Sequence, residues 1–133
     1  MNRVEQLLNN DPASQMLGIT LEKCTKDECR LVMLVTDAMT NGYDFCHGGF
    51  VYSLADTASA FAAAVEGETI LTASHLIEYL APAKNGDRLT AEAKVSINSG
   101  RNRFCDVKVC DQNNQLIAVS RSKLISKRIA NSE

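Results

Sequence analysis

The chain has 133 residues, the size of one ordinary domain, and its 45% hydrophobic content is enough for a core. A formal net charge of −2 excludes the basic footprint that nucleic-acid binders carry, and no run of about 20 apolar residues is present to cross a membrane. The first residues, Met1 to Asp11, are polar and lack the basic and apolar regions of a signal peptide, so a cytoplasmic location is expected. Five cysteines without a CxxC pair suggest neither a disulfide framework nor a zinc site, and reduced thiols are expected.

In chain order, Val4, Leu7 and Leu8 predict a short amphipathic helix over about 2–10, ending near Asp11-Pro12. Ile19 to Cys24 and Cys29 to Thr36 read as two strands joined by the polar turn Thr25 to Glu28. A polar loop with Asn41-Gly42 follows. Val51, Leu54, Ala55, Ala58, Phe61, Ala62 and Val65 recur every three or four residues and predict one long helix over about 48–66, with Gly67 placed to stop it. Four strands come next, Thr69–Leu80, Asp87–Ile97, Arg103–Asp111 and Gln115 to about Ser126, with hairpins expected between them and a turn at Gln112 to Asn114. No linker or repeat divides the chain, so residues 1–133 are read as a single α+β domain. The architecture that satisfies the pattern is a curved antiparallel sheet wrapped around one central helix.

Asp56 is the only formally charged side chain between His47 and Glu66. A carboxylate on a mostly buried helix is either paired or functional. At the start of the same helix stands Cys46-His47-Gly48-Gly49. Glycines there allow close backbone approach, and the free N–H groups of a helix N-terminus favour an anion or a developing oxyanion. Gly48 and Asp56 are eight residues apart, which is about 12 Å along a helix at 1.5 Å per residue. An attacking group has to lie within about 3.5 Å of the carbon whose oxygen the donor binds. One substrate therefore cannot meet both groups on one helix, and a site shared across a dimer interface is expected.

The stretch Asn41-Gly-Tyr-Asp-Phe-Cys-His-Gly-Gly-Phe-Val-Tyr-Ser-Leu-Ala-Asp-Thr-Ala58 resembles the hotdog-fold thioesterases of the phenylacetic acid degradation type (PaaI-like). The similarity continues through Ile77-Glu-Tyr-Leu-Ala-Pro-Ala83, Gly86 to Ala91, and Gly100-Arg to Asp106-Val-Lys-Val, and covers roughly residues 10 to 128. It departs at Ser120 to Lys123, where a glycine is common in the family. The resemblance implies a hotdog fold, homodimers sharing active sites and paired into tetramers, and hydrolysis of acyl-CoA with aryl-acetyl or medium-chain groups. It implies Asp56 as nucleophile or general base and the Gly48 N–H as the group polarising the thioester carbonyl. His47 and Asn41 are implied to orient groups there, and Thr72 to turn a hydroxyl toward the site. The nucleotide and pantetheine are implied to lie near Ser99, Gly100, Arg101, Asn102 and Arg103; since CoA brings phosphates, basic residues should line its path, and Lys84, in the loop after Pro82, is a further candidate cation. Tyr79, with Phe50, Tyr52 and Phe61, is either a lining for the acyl group or part of the core. No metal or cofactor is expected, CoA being part of the substrate. His75 reads as structural or exposed, and Arg121, Lys123, Lys127 and Arg128 as a solvent face or tail. The alternatives are a hotdog dehydratase or hydratase and a non-catalytic acyl-CoA binding module.

Overall fold

The computed structural model describes residues 2–129; Met1 and residues 130–133, part of the single domain expected over 1–133, lie outside the described residues. The first helix, α1 (Arg3–Asn9), is capped by the Asn2 side chain, which accepts from the Glu5 N–H. A second short helix, α2 (Pro12–Met16), follows where the sequence predicts only an end. Asp11 caps it and Pro12 occupies its first turn, where a missing N–H costs nothing.

Strands β1 (Thr20–Thr25) and β2 (Glu28–Leu34) form the expected hairpin. Asp27 takes the positive φ of its turn, +67°. Cys24 and Cys29 face each other across this hairpin and are joined in a disulfide, so the expectation of reduced thiols fails here. A spacing of five residues matches no cysteine motif; only the hairpin register brings the two together.

The long helix α3 spans Gly48–Ala62, shorter than the predicted 48–66. Its last turn tightens, with Ala64 N–H bonded to Phe61 O, and Gly67 adopts φ +80° in the turn beyond. Val65 belongs to that turn and is 42% exposed. Strands β3 (Glu68–Tyr79), β4 (Arg88–Ser99), β5 (Asn102–Cys110) and β6 (Leu116–Arg128) complete a six-stranded antiparallel sheet of order β1-β2-β4-β5-β6-β3. The expected hairpin between β3 and β4 is absent. β3 pairs with β6 at one margin, while β4 pairs with β2 and β5, and residues 80–87 cross between them. That crossing lets both halves of the sheet close on α3, whose buried side chains lie against β2, β3, β4, β5 and β6.

The packing explains the helix composition. Leu54, Ala55 and Ala58 are fully buried, and the small side chains allow the sheet to approach closely. They meet Leu31, Met33, Leu89, Ala91, Cys105 and Leu124 from the strands, in one continuous core. The fold is the α+β hotdog arrangement that the sequence suggests. Among the described residues, no helix is long and apolar enough to cross a membrane.

Candidate active site

The loop before α3 is built by its own polar groups. Asn41 Oδ1 accepts from the N–H groups of Tyr43 (2.9 Å) and Phe45 (3.2 Å), and Asn41 N–H donates to Phe45 O at 2.7 Å. The His47 N–H donates to Met39 O and the Cys46 N–H to Ala83 O, which fixes where the helix begins. His47 is the N-cap: its Nδ1 accepts the Gly49 N–H at 2.9 Å, and its carbonyl accepts the Phe50 N–H. The Gly48 N–H is left without an acceptor among the described residues, at the positive end of the helix dipole.

Tyr79 on β3 closes over this helix end. Its hydroxyl donates to Gly48 O at 2.8 Å. A Cβ at residue 48 would stand 3.0 Å from the Tyr79 ring, so the close approach requires glycine. Burial, and then the neighbouring Cys46, push the Tyr79 phenol up from its ordinary value, which keeps it a donor. Asn41, Phe45, Gly48 and Tyr79 border a cleft of about 370 Å³ that continues along Leu80 to Ala83.

Asp56 lies two turns further along α3, on a stripe with Tyr52, Ser53 and Thr57 that is neither buried nor fully exposed. Its side chain is 31% exposed, so the carboxylate stands at the margin of the core and not within it. Two groups from β3 meet it. Thr72 Oγ1 donates to Asp56 Oδ1 at 2.9 Å, and His75 Nδ1 lies 2.9 Å from the same oxygen. The Tyr52 ring, one helical turn before Asp56, contacts the His75 ring with centroids 4.9 Å apart. Burial and the Asp56 charge both raise the Tyr52 phenol above its ordinary value.

Thr72 and His75 are three residues apart, and in a regular strand they would face opposite sides of the sheet. A β-bulge between Thr72 and Ser74 corrects this. Thr72 pairs with Leu124 and His75 with Ser122, both buried residues on the helix side of β6, so Ala73 is the extra residue. His75, read from its strand pattern as structural or exposed, is not exposed, and the bulge is what turns it to the helix side. Its side chain is 1% exposed, and it touches the carboxylate.

A third cluster forms at the β4–β5 hairpin. Ser99 and Asn102 pair across the two-residue turn Gly100-Arg101, with Gly100 at φ +58°. Arg101 and Arg103 border a cavity of about 320 Å³ with Arg128 from the end of β6, and Glu68 and Ser126 complete it. Arg103 is held by bonds to Gly100 O and Asn102 O. Arg128, read from sequence as part of a solvent face, therefore belongs with the hairpin arginines; pairing of β5 with β6 brings it there. Lys84 is exposed beside the first cleft, its N–H donating to Asp87 Oδ2. Cys46 adjoins His47, but burial, helped by Asp87, pushes its thiol up to about 11, which removes it as a nucleophile near neutrality.

The structure thus gathers the predicted residues into three places: Asn41, His47, Gly48 and Tyr79 at the head of α3; Asp56 and Thr72, joined by His75, along its flank; and Ser99 to Arg103, joined by Arg128, at a hairpin end.

Comparison with known proteins gives concordant matches. The chain is 33% identical over 117 residues to the protein named acyl-coenzyme A thioesterase PaaI of Escherichia coli, covering 88% of this chain and 84% of that one. It superposes on a solved structure of the E. coli PaaI protein from the phenylacetic acid degradation operon with a TM-score of 0.89 and 32% identity, covering 95% and 90% of the two chains. A mutant of the phenylacetic acid degradation protein PaaI from Thermus thermophilus matches with a TM-score of 0.82 and 27% identity, over 90% of this chain and all of the other (100%). The family model described as Thioesterase superfamily matches residues 43–118, from the loop before α3 to the first residues of the last strand. With more than half its length matched and its fold shared, this chain belongs to the thioesterase superfamily and resembles its PaaI-like members.

Proposed function

We propose that the protein hydrolyses the thioester of an acyl-CoA to a free acid and CoA, with Asp56 as nucleophile or general base. One observation carries this reading. The single charged side chain of α3 is anchored through one oxygen by Thr72 and His75, while its other oxygen has no partner among the described residues and the side chain remains partly exposed. A carboxylate so placed has a free oxygen to offer. As nucleophile, Oδ2 bonds to the acyl carbon, the C–S bond breaks, and the CoA thiolate departs and takes a proton; water then cleaves the mixed anhydride. As general base, the carboxylate takes a proton from water as the water oxygen bonds to the acyl carbon, and the C–S bond breaks as before.

Either route develops negative charge on the carbonyl oxygen. The free Gly48 N–H at the head of α3 suits that oxygen, and such a donor is typically worth about 3 kcal/mol. Eight residues of helix hold it about 12 Å from Asp56. The reading therefore has Asp56 of one copy work with Gly48 of another, in a homodimer that pairs into a tetramer. His47 and Asn41 serve by shaping the helix head, Thr72 by holding the carboxylate, and Tyr79 by bordering the acyl cleft. Arg101, Arg103 and Arg128 offer three cations to the nucleotide phosphates, near Ser99, Gly100 and Asn102, with Lys84 at the other cleft. The chemistry calls for no metal or cofactor. The E. coli relative is named for acyl-CoA hydrolysis and its structure for the phenylacetic acid degradation operon. This makes aryl-acetyl groups the leading acyl class, ahead of medium chains.

The contact between a histidine and a carboxylate is the one feature that favours a dehydratase. Burial of the His75 ring argues against it, since the ring has no surface to offer a hydroxyacyl chain. The test is release of CoA from phenylacetyl-, benzoyl- and straight-chain saturated acyl-CoAs, followed by chromatography. Release from saturated substrates, lost about 10²-fold or more in Asp56→Asn, is the expected result. Undiminished release in Asp56→Asn would overturn the assignment of Asp56.

A further inference from the structure

We propose that His75 is a positioning residue for the reaction: it donates its Nδ1–H to Asp56 Oδ1 and, together with Thr72, fixes which carboxylate oxygen faces the thioester. The proposal rests on the reading of Asp56 as the reacting carboxylate. Both donors converge on one atom. Thr72 Oγ1 and His75 Nδ1 each lie 2.9 Å from Oδ1, and neither touches Oδ2. An ionised carboxylate is an acceptor only, so the histidine nitrogen facing it has to carry the hydrogen. Two donors on one oxygen define the rotation of the carboxylate about its last bond, and Oδ2 is the atom left for chemistry.

The surroundings of the ring agree. The His75 side chain is 1% exposed, wedged against Tyr52, and its Nε2 is buried without a hydrogen-bond partner among the described residues. With the hydrogen on Nδ1, that orphan is a lone pair. With the hydrogen on Nε2, the orphan would be a buried N–H, and Nδ1 would turn a lone pair toward a negative oxygen. An unmet buried donor is the rarer and costlier defect. The ring is therefore set to serve Asp56 through one nitrogen, and its burial keeps it away from substrate. The bulge at Ala73 is the structural device that places it there, since a regular β3 would present either Thr72 or His75 to the helix, but not both.

Two measurements test this. The chain has only two histidines, so nitrogen-15 long-range NMR of the intact protein at neutral pH, assigned by the signals lost in His75→Asn, reads the tautomer directly. A protonated Nδ1 is expected; an unprotonated Nδ1 overturns the proposal without any activity being measured. Kinetics supply the second readout. His75→Leu removes the donor and lowers kcat about 10- to 100-fold with KM within about twofold, as expected for a misaligned reacting group. His75→Asn places an amide N–H close to where Nδ1 stood and restores kcat to within about fivefold of wild type. A His75→Leu variant with unchanged kcat, or a His75→Asn variant as impaired as His75→Leu, overturns the proposal. If His75→Leu does not fold, the tautomer and His75→Asn decide between them. Activity that survives Asp56→Asn would instead sink the reading on which the proposal stands, and leaves the tautomer result unaffected.

Discussion

Replacing Gly48 by alanine tests whether the head of α3 is shaped by Tyr79. The new Cβ would lie 3.0 Å from Tyr79 Cζ and 3.1 Å from its hydroxyl, inside ordinary contact distance. The ring has to move by roughly 0.5 Å, a clash of the kind that costs about 1–3 kcal/mol in a tight core. Tyr79 is 51% exposed and can swing outward, which puts the cost at the low end of that range. The movement also breaks the 2.8 Å bond from the Tyr79 hydroxyl to Gly48 O, a loss of about 1 kcal/mol. Reduced freedom of the unfolded chain offsets about 0.4–1 kcal/mol of this, because residue 48 has no left-handed φ to forbid alanine. The net expectation is a destabilisation of about 1 kcal/mol, read by urea unfolding at fixed protein concentration. In a Tyr79→Ala background both penalties vanish, so Gly48→Ala becomes neutral or mildly stabilising. The coupling in this double-mutant cycle is then about 1–2 kcal/mol. An equal cost of Gly48→Ala in both backgrounds would refute the role given to Tyr79.

Three further outcomes are expected. Deleting Ala73 should turn either Thr72 or His75 away from Asp56 and lower kcat more than about 100-fold, while Ala73→Gly stays within about threefold; circular dichroism controls for the fold. Cys46 and Cys105, both pushed up to about 11 by burial, should resist alkylation near pH 7.5 and label faster as the pH is raised toward that value, since only the thiolate reacts. Peptide mapping should find Cys110, which is less buried, labelled before either. Replacing Arg101, Arg103 and Arg128 together by alanine should raise KM for acyl-CoA about 10-fold or more with kcat unchanged, less so in high salt, and leave an acyl-pantetheine substrate unaffected.

Much of this architecture is legible in the sequence because its signals are local. The apolar repeat of Val51 to Ala62 announces the central helix, and the glycine and asparagine punctuation sets most strand limits within one or two residues. The solitary charge at Asp56 marks the flank of that helix through charge pattern alone. Features that depend on pairing between distant segments are hidden. The place of β3 beside β6 follows from closure around α3; the Cys24–Cys29 disulfide, by contrast, is local, flanking the turn that the sequence predicts, and is legible once that hairpin's register is drawn. His75 is the clearest case. Its spacing of three from Thr72 says that the two face apart, and only a residue absorbed at Ala73 makes them neighbours. Arg128 is hidden in the same way, since its neighbours in sequence suggest a solvent face while its neighbours in space are on a hairpin.

The bulge in β3 has a consequence for how such a site is inherited or transplanted. Side-chain identities at 72 and 75 specify nothing unless an odd residue stands between two halves of the strand, so the spacing itself behaves as a heritable character. Ala73 contributes a count and no chemistry of its own, which makes the position tolerant of substitution and intolerant of deletion. A graft of Thr72 and His75 onto a regular strand would copy every functional group and lose their convergence; the graft has to carry the unpaired residue with it.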